Sequence, residues 1–135
     1  MKSMPQVQKF MTPMPHSIGL KQPVRVALDL MRDHGIRHLP VQEGGQLVGV
    51  LTDRDVKLAG TFAQLDEIRL EDVMTPEPFA VLPQAPVDQV VFEMAAHKYG
   101  CALVRQENGK LVGIFTSTDA LRVLGETLQT HHRMA

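Results

Sequence analysis

Gly49-Val50-Leu51-Thr52-Asp53-Arg54-Asp55 is answered later in the chain by Gly113-Ile114-Phe115-Thr116-Ser117-Thr118-Asp119. In each stretch a glycine heads an apolar run, a threonine follows it, and an aspartate stands three residues beyond. Aliphatic and aromatic residues that end at a helix-capping threonine read as a strand running straight into a helix start. The correspondence extends outward on both sides. Adding 63 carries Met11-Thr12-Pro13 onto Met74-Thr75-Pro76, Pro15 onto Pro78, Pro23-Val24 onto Pro86-Val87, Met31 onto Met94, His34 onto His97 and Val41 onto Val104. An inserted residue near Glu107-Asn108 raises the offset to 64, so that Gly45, Leu47, Val48, Thr52 and Asp55 match Gly109, Leu111, Val112, Thr116 and Asp119. The chain is a tandem duplication, with repeats at 1–66 and 67–135.

Each copy has the same coarse layout. Val7, Phe10 and Met11, and again Leu70, Val73 and Met74, have the spacing of a short helical turn that a Thr-Pro pair stops. Short strands are predicted at Ser17-Ile18 and Phe79–Leu82. Pro23 and Pro86 suit the first position of a helix, where a missing N–H costs nothing. Val24, Ala27, Leu28 and Met31 then form one apolar face, matched by Val87, Val90, Val91 and Met94, and Gly35 can end the first of these helices. Strands at Leu39–Gln42 and Leu47–Leu51, and at Cys101–Arg105 and Leu111–Phe115, are joined by Gly- and Asn-containing turns. A last helix starts beside Thr52 or Thr116. The fold class is therefore α+β, β-α-β-β-α written twice. A unit of about 60 residues buries little surface alone, so the copies are expected to pack sheet against sheet about a pseudo-twofold axis, with equivalent sites facing a central cleft.

The 135 residues are 44% hydrophobic and 21% charged, the composition of a globular domain. A formal charge of −1 argues against a nucleic-acid binder that relies on a basic field. One cysteine, Cys101, has no partner for an intramolecular disulfide, which favours a reducing compartment. Met1-Lys2-Ser3-Met4-Pro5 lacks the apolar run of a signal peptide, and no stretch is long enough for a membrane span. A soluble, cytoplasmic protein with no membrane or nucleic-acid partner is expected.

The junctions admit two readings. Thr52 with Asp55, and Thr116 with Asp119, have the spacing of a capping box with Asp in place of Glu or Gln, a purely structural device contributing about 1 kcal/mol. The same geometry suits a nucleotide. Free N–H groups at a helix start and a hydroxyl attract phosphate, a carboxylate one turn on can accept from the vicinal hydroxyls of a ribose, and the glycine permits close backbone approach.

The repeat resembles the CBS domain, named for cystathionine β-synthase, and the pair resembles a Bateman module. The resemblance runs from about Val7 to about Leu128 and rests on Phe10-Met11-Thr12-Pro13 and Val73-Met74-Thr75-Pro76, Arg37-His38-Leu39-Pro40-Val41, and the two junctions. It implies a regulatory module that binds AMP, ADP, ATP or a relative such as S-adenosylmethionine, as a regulatory ligand and not a catalytic cofactor. By the same resemblance Thr52 and Thr116 contact phosphate and Asp55 and Asp119 hold the ribose. The base lies between Pro15–Ile18 and Arg37–Pro40 in the first copy, which brings in His16, Ser17, Ile18, Arg37, His38 and Pro40. In the second it lies between Pro78–Val81 and Gly100–Leu103, which brings in Phe79, Val81 and Cys101. Asp53 and Arg54 complete the first junction and Thr118 the second. Because Arg37, His38 and Arg54 give way to Gly100, Cys101 and Thr118, the first site is favoured for a polyphosphate. The resemblance further implies a homodimer, whose contacts are expected on the helices at 24–31 and 87–94, or at 121–128, and with no catalytic or DNA-binding domain recognised, a separate enzyme or transporter is expected as the regulated partner.

Other chemistries find no support in the pattern. His16, His34, His38 and His97 are scattered, no Cys/His spacing resembles a zinc site, and His131-His132 lie near the chain end. Cys101 sits in an apolar run without a placed base, and Ser17 and Ser117 have no triad around them. No metal site and no enzyme activity are expected. A ligand-independent dimerising scaffold, in which the junctions are only caps, is the alternative to a ligand sensor.

Overall fold

The computed structural model describes residues 3–62 and 64–133. In chain order it contains β1 (Thr12–Pro13), β2 (Ile18–Gly19), α1 (Val24–His34), β3 (His38–Glu43), β4 (Gln46–Thr52), α2 (Asp53–Gly60), β5 (Thr75–Pro76), β6 (Ala80–Val81), α3 (Val87–His97), β7 (Cys101–Arg105), β8 (Leu111–Thr116) and α4 (Ser117–Arg133). The class is α+β, as the pattern predicts. Contacts divide the chain into two compact units, Pro15–Pro78 with Asn108–Leu111, and Met1–Met14 with Phe79–Glu107 and Val112–Ala135.

The unit containing Pro15–Pro78 is built on a sheet in the order β2-β3-β4-β5. β2 runs parallel to β3, with Ile18 beside Val41, and β4 runs antiparallel to both of its neighbours. Val24, Ala27 and Met31, one stripe of α1, are buried against Leu39, Val41 and Leu51 of the sheet, Val56 of α2 and Leu70. Gly35 ends α1 in the left-handed conformation at φ 62°, and its N–H returns to the carbonyls of Arg32 and Met31.

The other unit repeats the plan with a sheet in the order β1-β8-β7-β6. Its core gathers Val7, Val87, Val90, Met94, Ala102, Val104 and Phe115. Here α3 ends at Lys98, which takes the left-handed conformation that Gly35 takes in the first unit, at φ 59°.

The Met-Thr-Pro segments differ from their expected form. The helical turns expected before them are single 3-10 turns, Val7–Lys9 and Leu70–Asp72, and Thr12–Pro13 and Thr75–Pro76 are themselves short strands at sheet edges. An edge tolerates proline because its missing N–H faces away from the ladder. Pro13 lies opposite Gly113 and Pro76 opposite Gly49. This pairing accounts for the glycines. A Cβ on Gly49 would come within 2.5 Å of Met74 Sδ and 2.9 Å of the Thr75 carbonyl, and one on Gly113 would run into Met11. Gly49 within β4 and Gly113 within β8 make room for the methionine of a Met-Thr-Pro segment. Pro23 and Pro86 also stand one place earlier than expected, as helix N-caps in extended conformation.

Candidate functional site

β4 delivers Thr52 to the N-cap of α2 with an extended backbone, so its side chain folds over the first turn. Thr52 Oγ1 accepts from the Asp55 N–H at 3.1 Å, and Asp55 Oδ2 accepts from the Thr52 N–H at 3.2 Å. The reciprocal pair is a complete capping box. The Asp53 N–H donates to the Arg37 carbonyl at 3.0 Å and ties the helix start to the segment entering β3. The anion site read from the sequence is therefore smaller than expected. Of the N–H groups of Asp53, Arg54 and Asp55, two are committed, which leaves that of Arg54 without a partner among the described residues.

Charged and titratable side chains surround this helix start. His38 lies directly across the ladder from Thr52. Burial holds its pKa below the ordinary 6.5; Arg37 pushes it the same way, while Asp53 and Asp55 oppose. His38 thus lies near Arg37, Asp53 and Asp55, and across the ladder from Thr52. Asp55 is half-buried, and its Oδ1 has no hydrogen-bond partner among the described residues. Arg37 and Arg54 are exposed, and neither makes an ion pair among the described residues, whereas Asp53 lies 3.9 Å from Lys57.

The candidate residues outside the junction are more varied. The Ile18 and Pro40 side chains are buried. Ser17 Oγ accepts from Gln42 Nε2 at 2.7 Å. His16 is exposed and stacks on His34 with ring centres 3.6 Å apart.

The second junction reproduces the capping bonds. Thr116 Oγ1 accepts from the Asp119 N–H at 3.2 Å, Asp119 Oδ2 accepts from the Thr116 N–H at 2.8 Å, and the Ser117 N–H donates to the Gly100 carbonyl at 2.9 Å. Thr116 Oγ1 also donates to Asp119 Oδ2 at 3.0 Å, and Arg122 Nη2 donates to Asp119 Oδ1 at 2.7 Å. Thr118 is exposed. The Phe79 ring stacks on Tyr99 at 5.1 Å, its carbonyl accepts from the Leu103 N–H, and Val81 pairs with Val104. Cys101 belongs to the core, and burial pushes its thiol up to about 12, so it stays neutral and unreactive at physiological pH.

Sequence reading missed Tyr99, Gln42 and Arg122. The Asp119–Arg122 spacing, three residues apart on a helix, was a visible signal for the last. Gln42 meets Ser17 and Tyr99 meets Phe79 from segments distant in sequence, which leave no local trace, although Tyr99 also stacks on nearby His97.

A duplicated α+β unit with a Thr–Asp pair at each strand-to-helix junction defines a paired-repeat class of small domains. The chain belongs to the CBS domain family, whose model matches residues 7–60 and 70–126. Its structure is similar to that of CBSX2 of Arabidopsis thaliana, solved in complex with AMP, with 27% identity, a TM-score of 0.79, and coverage of 90% of this chain and 97% of that one. It is also similar to the CBS domain pair of protein MJ0100, solved with 5′-methylthioadenosine and S-adenosyl-L-methionine, with 26% identity, a TM-score of 0.82, and coverage of 93% and 99%. In sequence it matches the inosine-5′-monophosphate dehydrogenase of Korarchaeum cryptofilum at 36% identity over 103 residues, which are 76% of this chain. The chain spans about a fifth of the length of that enzyme (21%).

Proposed function

We propose that this protein is a regulatory CBS pair that takes an adenine nucleotide (AMP, ADP or ATP) or an adenosyl relative at the first junction. Repeats 1–66 and 67–135 each contribute one junction. The reading rests chiefly on Asp55, a half-buried carboxylate with one oxygen left open, set beside His38 and Arg37 at a helix start. Asp55 accepts from the ribose diol. The Arg54 N–H and the Arg37, His38 and Arg54 side chains meet phosphate, and the base lies between 15–18 and 37–40. The ligands held by the two CBS-pair structures support an adenosyl class. The module works in the cytoplasm, as a homodimer, without catalysis of its own, and its ligand shifts a conformational or oligomeric equilibrium that a separate enzyme or transporter reads.

Calorimetric titration with AMP, ADP, ATP, S-adenosylmethionine and NAD tests this reading. Saturable binding of an adenosyl ligand, lost in Asp55→Ala, is the expected result. No heat and no thermal shift with any of them overturns it.

One observation favours the scaffold reading instead. An apolar groove of about 660 Å³ between α3 and α4 is lined by Val91, Met94, Tyr99, Leu121 and Leu124. A dimer that forms through this groove with no ligand response would support it.

A further inference from the structure

The two junction carboxylates are spoken for to different degrees. Asp119 Oδ2 accepts from both the N–H and the hydroxyl of Thr116, and Oδ1 is taken by Arg122 at 2.7 Å. Only 8% of its side chain is exposed. At the matching helical position of the first repeat stands Leu58, which has no hydrogen-bonding group and is itself 59% exposed. Asp55 consequently keeps Oδ1 open.

We propose that Arg122 sets the order in which the two sites fill. This rests on the ribose-carboxylate reading of the junctions. A ribose diol offers two donors and needs a carboxylate with acceptor capacity to spare. At Asp55 that capacity is present before the ligand arrives. At Asp119 the guanidinium must first swing away, so part of the ligand's binding free energy goes into breaking a charge-assisted hydrogen bond. Arg122 is 57% exposed and is readily hydrated once released, so the bond biases filling and does not forbid it. The position acts separately from Arg37, His38 and Arg54, which favour the first site through phosphate. Arg122 favours it through the ribose, and its effect extends to an adenosyl ligand that carries no phosphate.

The test uses the full chain titrated with AMP and, separately, with S-adenosylmethionine. The Asp55→Ala background isolates the second site. Adding Arg122→Leu to it should tighten second-site binding about three- to tenfold with both ligands. The reciprocal graft, Leu58→Arg in the otherwise unaltered protein, should weaken first-site binding by a similar factor, which keeps the proposal falsifiable if the double variant folds poorly. Unchanged affinities in both variants overturn the inference while leaving the nucleotide reading intact. Weaker second-site binding on loss of Arg122 also overturns it, because the guanidinium would then be holding the ligand. Absence of binding by the unaltered protein to either probe fails the nucleotide reading itself.

Discussion

Asp55 and Asp119 occupy the same place in the same motif, and their surroundings diverge. Both accept from the N–H of the capping threonine, and both return their own N–H to its hydroxyl. Asp55 is half-buried with an open oxygen, whereas Asp119 is buried with both oxygens bonded. The backbone geometry follows from Thr and Asp three residues apart, which the two copies share. The electrostatics follow from residues one turn on or one strand over: Leu58 against Arg122, His38 against Cys101, Arg37 against Gly100. A duplicated motif can thus hold its shape while one copy keeps an open acceptor and the other closes it.

The strongest way to break that comparison is to remove each carboxylate in turn. On the proposed nucleotide reading, Asp55→Ala forfeits two charge-assisted hydrogen bonds to a ribose, so AMP affinity at the first site should fall about a hundredfold or more. Asp119→Ala should change overall AMP affinity less than about threefold, since Asp119 is already engaged within the protein. Titration of both variants decides, and equal losses would mean that the sites are equivalent.

The glycines sharpen the comparison at the level of packing. At Gly49 a Cβ meets a backbone carbonyl, that of Thr75 at 2.9 Å, as well as Met74, whereas at Gly113 the three nearest atoms all belong to the Met11 side chain. A side chain can rotate away more cheaply than an edge strand can shift. Gly49→Ala should therefore cost about 2–3 kcal/mol and Gly113→Ala about 1–2 kcal/mol, read from urea unfolding midpoints. The reverse order would show that β5 yields more easily than the Met11 side chain.

Much of this was legible in the sequence. The offsets of 63 and 64 forecast two similar units, and Thr52/Asp55 and Thr116/Asp119 forecast the capped junctions. The Met-Thr-Pro strands were not legible, because proline argues against a strand unless the segment is known to lie at an edge, and edges are set by partners distant in sequence. Nor did the pattern show that Arg37 and Gly100 carbonyls take the first amide of the helices that follow, which halves the anion site expected from a bare helix start. Such bonds between strand entry and helix start depend on register, which a single sequence does not display.

A smaller difference is expected between the two threonines. Thr52→Val removes one cap bond, worth about 1 kcal/mol. Thr116→Val also removes the hydroxyl that donates to Asp119, so its cost should reach about 1–2 kcal/mol. If Thr52→Val lowers stability and leaves AMP affinity untouched, the first junction is a cap and nothing more.

The least costly probe is pH, and it separates the sites cleanly because only one carries a histidine across from the capping threonine. Burial, aided by Arg37 and opposed by Asp53 and Asp55, lowers the His38 pKa below 6.5 in the folded chain. The folded state then binds less proton than the unfolded state as the pH falls through 6.5 towards the lowered value, and stability drops across that window. Cys101, its counterpart, is held near 12 and contributes nothing there. Unfolding followed from pH 7.5 to 5.5, about one unit either side of the ordinary histidine value, should show a steeper loss for the unaltered protein than for His38→Gln, the other histidines being common to both. A bound phosphate would favour the protonated ring, so AMP should flatten the difference by drawing a proton onto His38. Identical slopes with and without His38 would mean that its ring is as well hydrated folded as unfolded, and the asymmetry between the sites would then rest on the carboxylates and arginines alone.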